Sequence, residues 1–392
     1  MMRAIEAFRR TAPEPVAGSR DLALDFLRGL CLVVMIVDHI WFRTRLFLLT
    51  KNSIALSSAA EGFVLISGMV LGQVYRRRLD QHGLGTVTRQ LWRRAGMIYL
   101  THVGIMLFML ATELWGWVDW GYDFEAAVFA INPRAFVANV FLLYAQPAYM
   151  NILPMYVVFL LLAPGALWLL RRGHAHLLLG ASLALWLLMN LFPRLWQVTQ
   201  SGLNHAPFTP STWQVFFVTG MVWGYHRQAI GEWTACHRRV YLPVVLAVFA
   251  FFFVLAHTLG RPGLEARGLY ARWFDISLIG PGRFLNALVV FEVLYRGARH
   301  FWAWLQPLVG WLLLPLGQNS LLAFTLHVFV AYVTRTFPLF AWLVELLHPL
   351  DPGVLTLALL GLIWLTVKWV TKLSYGKTRP PLQLAPQGSR QP

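Results

Sequence analysis

Arg28 and His39 stand eleven residues apart in LDFLRGLCLVVMIVDHIWF, residues 24 to 42, a stretch otherwise apolar enough for a membrane helix. At 100° and 1.5 Å per residue the two side chains differ by about 20° around such a helix and by about 16 Å along it. An imidazole at one end of that stripe can take a proton from a hydroxyl and return it to a leaving group, while a guanidinium on the same side can hold an anion. Asp25 falls on or near the stripe, and Asp38 points about 100° away from His39. Arg at a helix centre facing lipid costs about 2.5–3.5 kcal/mol on the insertion scale, so the stripe is expected to face protein or water.

Glu61 opens the next apolar run, SSAAEGFVLISGMVLGQVY. The short loop before it makes the two helices neighbours, and Ala59, Ala60, Gly62, Ser67, Gly68 and Gly72 permit close approach. Glu61 is then expected at about the depth of His39, where it or Asp38 would orient the imidazole. Candidates for substrate or oxyanion contact are Asn151 in NILPMYVVFLLLAP, Gln214 in STWQVFFVTG, Arg283 in GPGRFLNALVVF, and Asn319 and His327 in LPLGQNSLLAFTLHVF. Pro315 and Gly317 interrupt the last run in the manner of a helix that lines a cavity. Each residue also has a purely structural reading: Asp38 and Glu61 snorkel at the interface, Asp25 pairs with Arg28, and the polar openings of the later runs anchor in the headgroup layer. His102, mid-span, reads as a buried hydrogen-bonded histidine.

The elements that must position these groups are membrane helices. With 58% hydrophobic and 13% charged residues, the chain is too apolar for a soluble protein of 392 residues. Its apolar runs are long enough to cross about 30 Å of hydrocarbon as helices and too continuous for barrel strands. The 33 Lys and Arg against 17 Asp and Glu sit mainly in short loops, which is the signature of membrane orientation and argues against nucleic acid as a partner. Basic loops at 75–94, 171–176, 226–239 and 296–300 fall on one side, giving an all-α polytopic membrane protein of about ten crossings with both termini cytoplasmic. The spans are placed at 22–42, 57–76, 90–115, 151–170, 175–193, 211–228, 239–258, 280–298, 312–333 and 353–373. Residues 134–150 carry too short an apolar run to cross and read as an interfacial or re-entrant helix.

The chain then divides into a cytoplasmic segment 1–20, a membrane domain 21–374 and a disordered cytoplasmic tail 375–392. The first span is retained, since its apolar run exceeds that of a cleaved signal. Cys31 lies in a span and Cys236 in a loop, which leaves no disulfide framework. HExxH, paired CxxC and GxxxxGK[ST] patterns are absent, so no metal and no tightly bound cofactor is expected.

Five segments, RDLALDFLRGLCLVVMIVDH, AAEGFVLISGMVLGQVY, NILPMYVVFLLLAP, STWQVFFVTGMVWG and PLGQNSLLAFTLHVF, occur in the order seen in the OpgC family, bacterial inner-membrane proteins named for modifying osmoregulated periplasmic glucans. The chain resembles that family from about residue 20 to 373. Its Arg, ten residues, His spacing is similar to the wider acyltransferase-three superfamily. The resemblance implies a multi-pass inner-membrane enzyme that moves an acyl group, succinyl or acetyl, from cytoplasmic acyl-CoA as co-substrate to a hydroxyl of a periplasmic or envelope glycan. It makes His39 the catalytic histidine and Arg28 the donor-associated arginine, and it leaves the parts of Glu61 and Asp38 open. Glycan-synthesis proteins are possible partners. Two other readings stand beside it: a transporter or lipid or glycan flippase, in which Arg28, His39 and Glu61 gate a proton or an anion, and a scaffold subunit that neither binds nor turns over acyl-CoA.

Overall fold

A computed structural model describes residues 21–40, 44–50, 56–120, 132–146, 149–195, 208–259, 263–265, 267–347 and 351–375. The expected segment 1–20 and the tail from 376 onward lie outside the described residues. Among those described the chain is helical, with no strand.

Helix α1, Leu22–His39, runs unbroken over most of the expected first span, whose residues 41 and 42 lie outside those described. Asp21 caps it by accepting from the backbone N–H of Ala23 at 3.0 Å and of Leu24 at 3.4 Å, and Asp25 in the first turn complements the helix dipole. After the short α2, Leu46–Thr50, comes α3, Ala59–Leu114, which counts as one helix only by continuity. Gly83 sits at φ 74°, a left-handed conformation that costs glycine nothing, and breaks α3 into two arms. Arg78 Nη1 donates to Gln90 Oε1 across the break at 2.9 Å. Twelve residues of straight helix would put these side chains about 18 Å apart, so the arms fold back on each other and form the second and third expected segments.

The first arm of α3 packs against α7, Pro210–Tyr225, through two GxxxG pairs that face each other. A Cβ on Gly68 would come within 2.0 Å of the Phe217 carbonyl oxygen, and one on Gly220 within 2.1 Å of that of Leu65; Gly72 and Gly224 repeat the pattern one turn on. In a bilayer, where lipid is as apolar as the side chains, such backbone proximity supplies dispersion contacts that larger residues would prevent. α5, Ile152–Arg171, packs against α3 and α7, and α6, Ala175–Leu191, packs against α7 and α5.

Of the remaining elements, those at 281–300, 311–318, 320–336 and 353–375 pack on α1. α11, Pro281–His300, follows α8, Arg227–Cys236, α9, Arg238–Thr258, and the short α10, Leu269–Trp273. α12, Trp302–Leu305, continues through a π-helical turn, Gln306–Gly310, into α13, Trp311–Gln318. α13 lies antiparallel to α1: Gly29 faces the Leu313 backbone and Gly317 faces that of Asp25, where a Cβ would fall within 1.8 Å of oxygen. At Asn319 the chain turns by 93° into α14, Ser320–Thr336. α15, Pro338–Leu347, and α16, Gly353–Tyr375, complete the described fold, with α16 against α13 and α14.

Against ten expected crossings, four helices among the described residues are long and apolar enough to span a bilayer with α3 counted once, or five if the bent pair on either side of Asn319 is one span. All ten expected segments are helical, but α1 carries Asp25, Arg28 and Asp38 within 18 residues, α6 has 17 residues and α7 only 16, and α11 carries four charged residues. Residues 134–150 yield α4, Pro133–Phe141, whose nine residues reach about 14 Å, short of a crossing. α9, which buries only Val245 and Phe252, presents the remainder of its apolar surface outward as a lipid-facing helix would.

Candidate active site

The continuity of α1 keeps Arg28 and His39 about 16 Å apart on one side of a single rigid helix. α1 is packed by α3, α11, α13, α14 and α16, so this side faces protein. Arg28 is 5% exposed, held inside the bundle.

At the other end of α1, His39 is half-buried between two rings. Tyr149 stacks on it with ring centroids 4.1 Å apart, and His327 of α14 approaches it edge to edge, Nδ1 of His39 lying 2.7 Å from Nε2 of His327. The 93° turn at Asn319 aims α14 so that His327 reaches α1. Tyr149 holds φ 67°, a left-handed conformation that a bulky residue adopts only when its surroundings impose it, and such strain gathers at working sites. His327 is 2% exposed, and its Nδ1 is 2.9 Å from the Phe324 carbonyl oxygen one turn back on its own helix.

The carboxylates expected to orient His39 are occupied elsewhere. Gly62 lies opposite Cys31, where an added Cβ would sit 3.3 Å from the Cys31 Sγ. Cys31 is eight residues before His39, so α3 enters about 12 Å from the imidazole along α1 and not at its depth. The cause is a helix N-terminus sunk into the bundle, whose N–H groups must find partners. Glu61 accepts at Oε2 from the backbone N–H of Ser58 at 2.7 Å and from its hydroxyl at 2.5 Å, and at Oε1 pairs with Arg283 Nε at 2.5 Å. Arg283 also donates to the Phe274 carbonyl, and Asn286, with its amide oxygen turned toward the segment, accepts from the N–H of Leu56 and Ser57. Glu61 and Asn286 are fully buried and Arg283 nearly so. Asp38 accepts from the Thr50 hydroxyl at 2.6 Å and ties the end of α1 to α2.

The other expected contact residues are spread through the bundle. Gln214 accepts from the Ser182 hydroxyl at 2.6 Å and donates to the Ser182 carbonyl at 2.9 Å, which joins α6 to α7. Asn319 donates to the Pro315 carbonyl and closes α13 at the bend. Asn151 is buried at the start of α5, two residues beyond Tyr149, and its Oδ1 has no hydrogen-bond partner among the described residues. His102 is fully buried with Nε2 3.1 Å from the Ala145 carbonyl oxygen, the hydrogen-bonded histidine its sequence position implies. No cluster of three metal-ligating side chains occurs among the described residues. A cavity of about 320 Å³ at the end of α14, lined by Arg335, Thr336, Phe337, Pro338 and Ala341, contains none of the candidate residues.

Of the expected set, then, the fold joins His39 to His327 and Glu61 to Arg283. Sequence reasoning missed Tyr149, which fell inside the short segment 134–150 and belongs to no periodic pattern. Asn286, the asparagine of the polar opening GPGRFLNALVVF, stands three residues after Arg283 on the same helix face, and the fold sets both against the start of α3.

A family model described as OpgC protein matches residues 20–374. The chain belongs to the OpgC family. The match takes in every element that holds Arg28, His39 and His327, and it carries a transferase role in glucan modification at a membrane. Comparison with curated proteins and with solved structures finds no match.

Proposed function

We propose that this OpgC-family chain is a transmembrane O-acyltransferase that moves an acyl group from cytoplasmic acyl-CoA to a hydroxyl of a periplasmic or envelope glycan at the bacterial inner membrane. One observation carries the reading: Arg28 and His39 lie about 16 Å apart on the protein-facing side of one unbroken helix, a span comparable to a pantetheine arm. With both termini cytoplasmic, Arg28 lies toward the donor compartment and His39 toward the acceptor. CoA phosphates are too polar to cross lipid, so the acyl end must reach through the protein while the nucleotide stays behind. Arg28, buried on α1, supplies positive charge along that route.

At the far end, His39 takes the proton of the glycan hydroxyl as its oxygen attacks the thioester carbonyl. The carbon–sulfur bond breaks as the ester forms, and the imidazolium returns the proton to the departing thiolate, giving ester and free CoA thiol. Asn151, with an unpartnered buried amide oxygen two residues from the ring that stacks on His39, is better placed to meet substrate than Gln214 or Asn319, whose amides hold helices together. Succinyl and acetyl are the acyl groups proposed, and no bound cofactor takes part.

The test is mass spectrometry of periplasmic glucans from cells carrying wild-type protein, His39→Ala or Arg28→Ala at equal membrane level. Acyl decoration is expected to vanish with His39→Ala and to fall with Arg28→Ala through a raised KM for acyl-CoA. Unchanged decoration in His39→Ala overturns the reading. The 93° break at Asn319 favours a second one, since discontinuous helices line the sites of transporters. A flippase predicts that the same variant changes how much glycan crosses and leaves the decoration per glycan intact.

A further inference from the structure

The geometry points to His327 as the positioning residue that fixes the tautomer of His39 and leaves Nε2 of His39 as the nitrogen that takes the acceptor's proton. The inference rests on the acyl-transfer reading and assigns a second residue to it.

The argument is one of donors and acceptors. The Phe324 carbonyl can only accept, so at 2.9 Å the Nδ1 of His327 is its donor and carries hydrogen. A neutral His327 therefore has its lone pair on Nε2. That atom is 2.7 Å from Nδ1 of His39, a distance at which one of the two nitrogens must donate, so Nδ1 of His39 carries the hydrogen. The remaining nitrogen of His39, Nε2, then holds a lone pair and has no hydrogen-bond partner among the described residues. A backbone carbonyl thus sets one imidazole, and that imidazole sets the next.

The arrangement does for His39 what a carboxylate does in other nucleophile-activating sites, by neutral means. When Nε2 of His39 takes the proton of the glycan hydroxyl, the imidazolium that forms keeps its Nδ1 hydrogen on the lone pair of His327, which stabilises the cation while the proton waits for the thiolate. A carboxylate is not required, which accounts for Glu61 and Asp38 being engaged with Arg283, Ser58 and Thr50. Tyr149, stacked at 4.1 Å, closes one ring face and holds the imidazole plane for both contacts.

Four variants test the inference: His39→Ala, His327→Ala, His327→Phe and His327→Gln, each brought to equal folded membrane level by fluorescence-detected size exclusion. Readouts are glucan decoration in cells and release of free thiol from succinyl-CoA or acetyl-CoA by purified protein with unmodified periplasmic glucan. His327→Phe fills the space but offers no acceptor, and His327→Gln restores an acceptor oxygen without a second imidazole. His327→Ala and His327→Phe are expected to lose kcat by about 10²-fold or more with little change in KM, whereas His327→Gln keeps most of it. Wild-type kcat in His327→Phe, beside a silent His39→Ala, overturns the positioning role and leaves the acyl-transfer reading in place. Full decoration by His39→Ala overturns both. If His327→Ala and His327→Phe fail to fold, a His327→Gln protein that folds yet is as inactive as His39→Ala overturns the inference, because its acceptor oxygen is present.

Discussion

Glu61 and Arg283 meet deep in the bundle with both carboxylate oxygens occupied, whereas His39 and His327 meet with one imidazole nitrogen of the half-buried partner left open. Both pairs bring polar side chains into a helical membrane protein, where each unsatisfied group costs several kcal/mol. The carboxylate pair spends its bonding capacity on structure: it terminates the sunk start of α3 and joins it to α11. The imidazole pair is fixed on one side only, by a carbonyl, a second ring and a stacked Tyr149 in a strained conformation. A polar group inside a membrane protein is therefore read better from what its remaining valences face than from its charge.

The comparison can be broken from either side. The largest effect is expected at His39: replacement by Ala lowers the rate of glucan acylation by about 10²–10⁴-fold, with the amount and melting midpoint of the detergent-solubilised protein close to wild type, as mass spectrometry and a thermal melt will read. At Glu61 the expectation reverses. Glu61→Ala strands Arg283 and costs about 3–5 kcal/mol of stability, seen as a lower melting midpoint and less folded protein, while the double variant Glu61→Met with Arg283→Met recovers most of the loss.

Smaller effects sharpen the same division between holding and reacting. Gly220→Ala presses a methyl group to within about 2 Å of the Leu65 carbonyl and is expected to cost at least ~1–3 kcal/mol by forcing α3 and α7 apart, with activity per folded molecule retained. Gln214→Ala removes one amide bridge between α6 and α7, costs about 1 kcal/mol, and leaves decoration unchanged. A loss of decoration in folded Gln214→Ala would return that residue to the substrate surface.

Much of this was legible before any coordinates. Apolar run lengths announce the helices, because a segment in lipid must satisfy its own backbone, and the spacing of Arg28 and His39 announces a shared face, because a helix repeats every 3.6 residues. The glycines at 68, 72, 220 and 224 are visible as small-residue pairs, though not which pair faces which. Glu61 sits deeper than its short preceding loop implies, because loop length limits how far apart two helix ends lie without saying how deep the second begins. Asn286 and Arg283 decide that, and they come more than 220 residues later.

By itself the sequence determined a helical membrane protein of the OpgC family with a guanidinium and an imidazole on one side of its first helix, since periodicity and hydropathy are local properties of the chain. Only the tertiary structure decided which side chain sits on the imidazole. His39 and His327 are 288 residues apart, joined by a bend at Asn319 and braced by a ring from an irregular segment, and no local pattern encodes a contact that depends on where three separate elements come to rest.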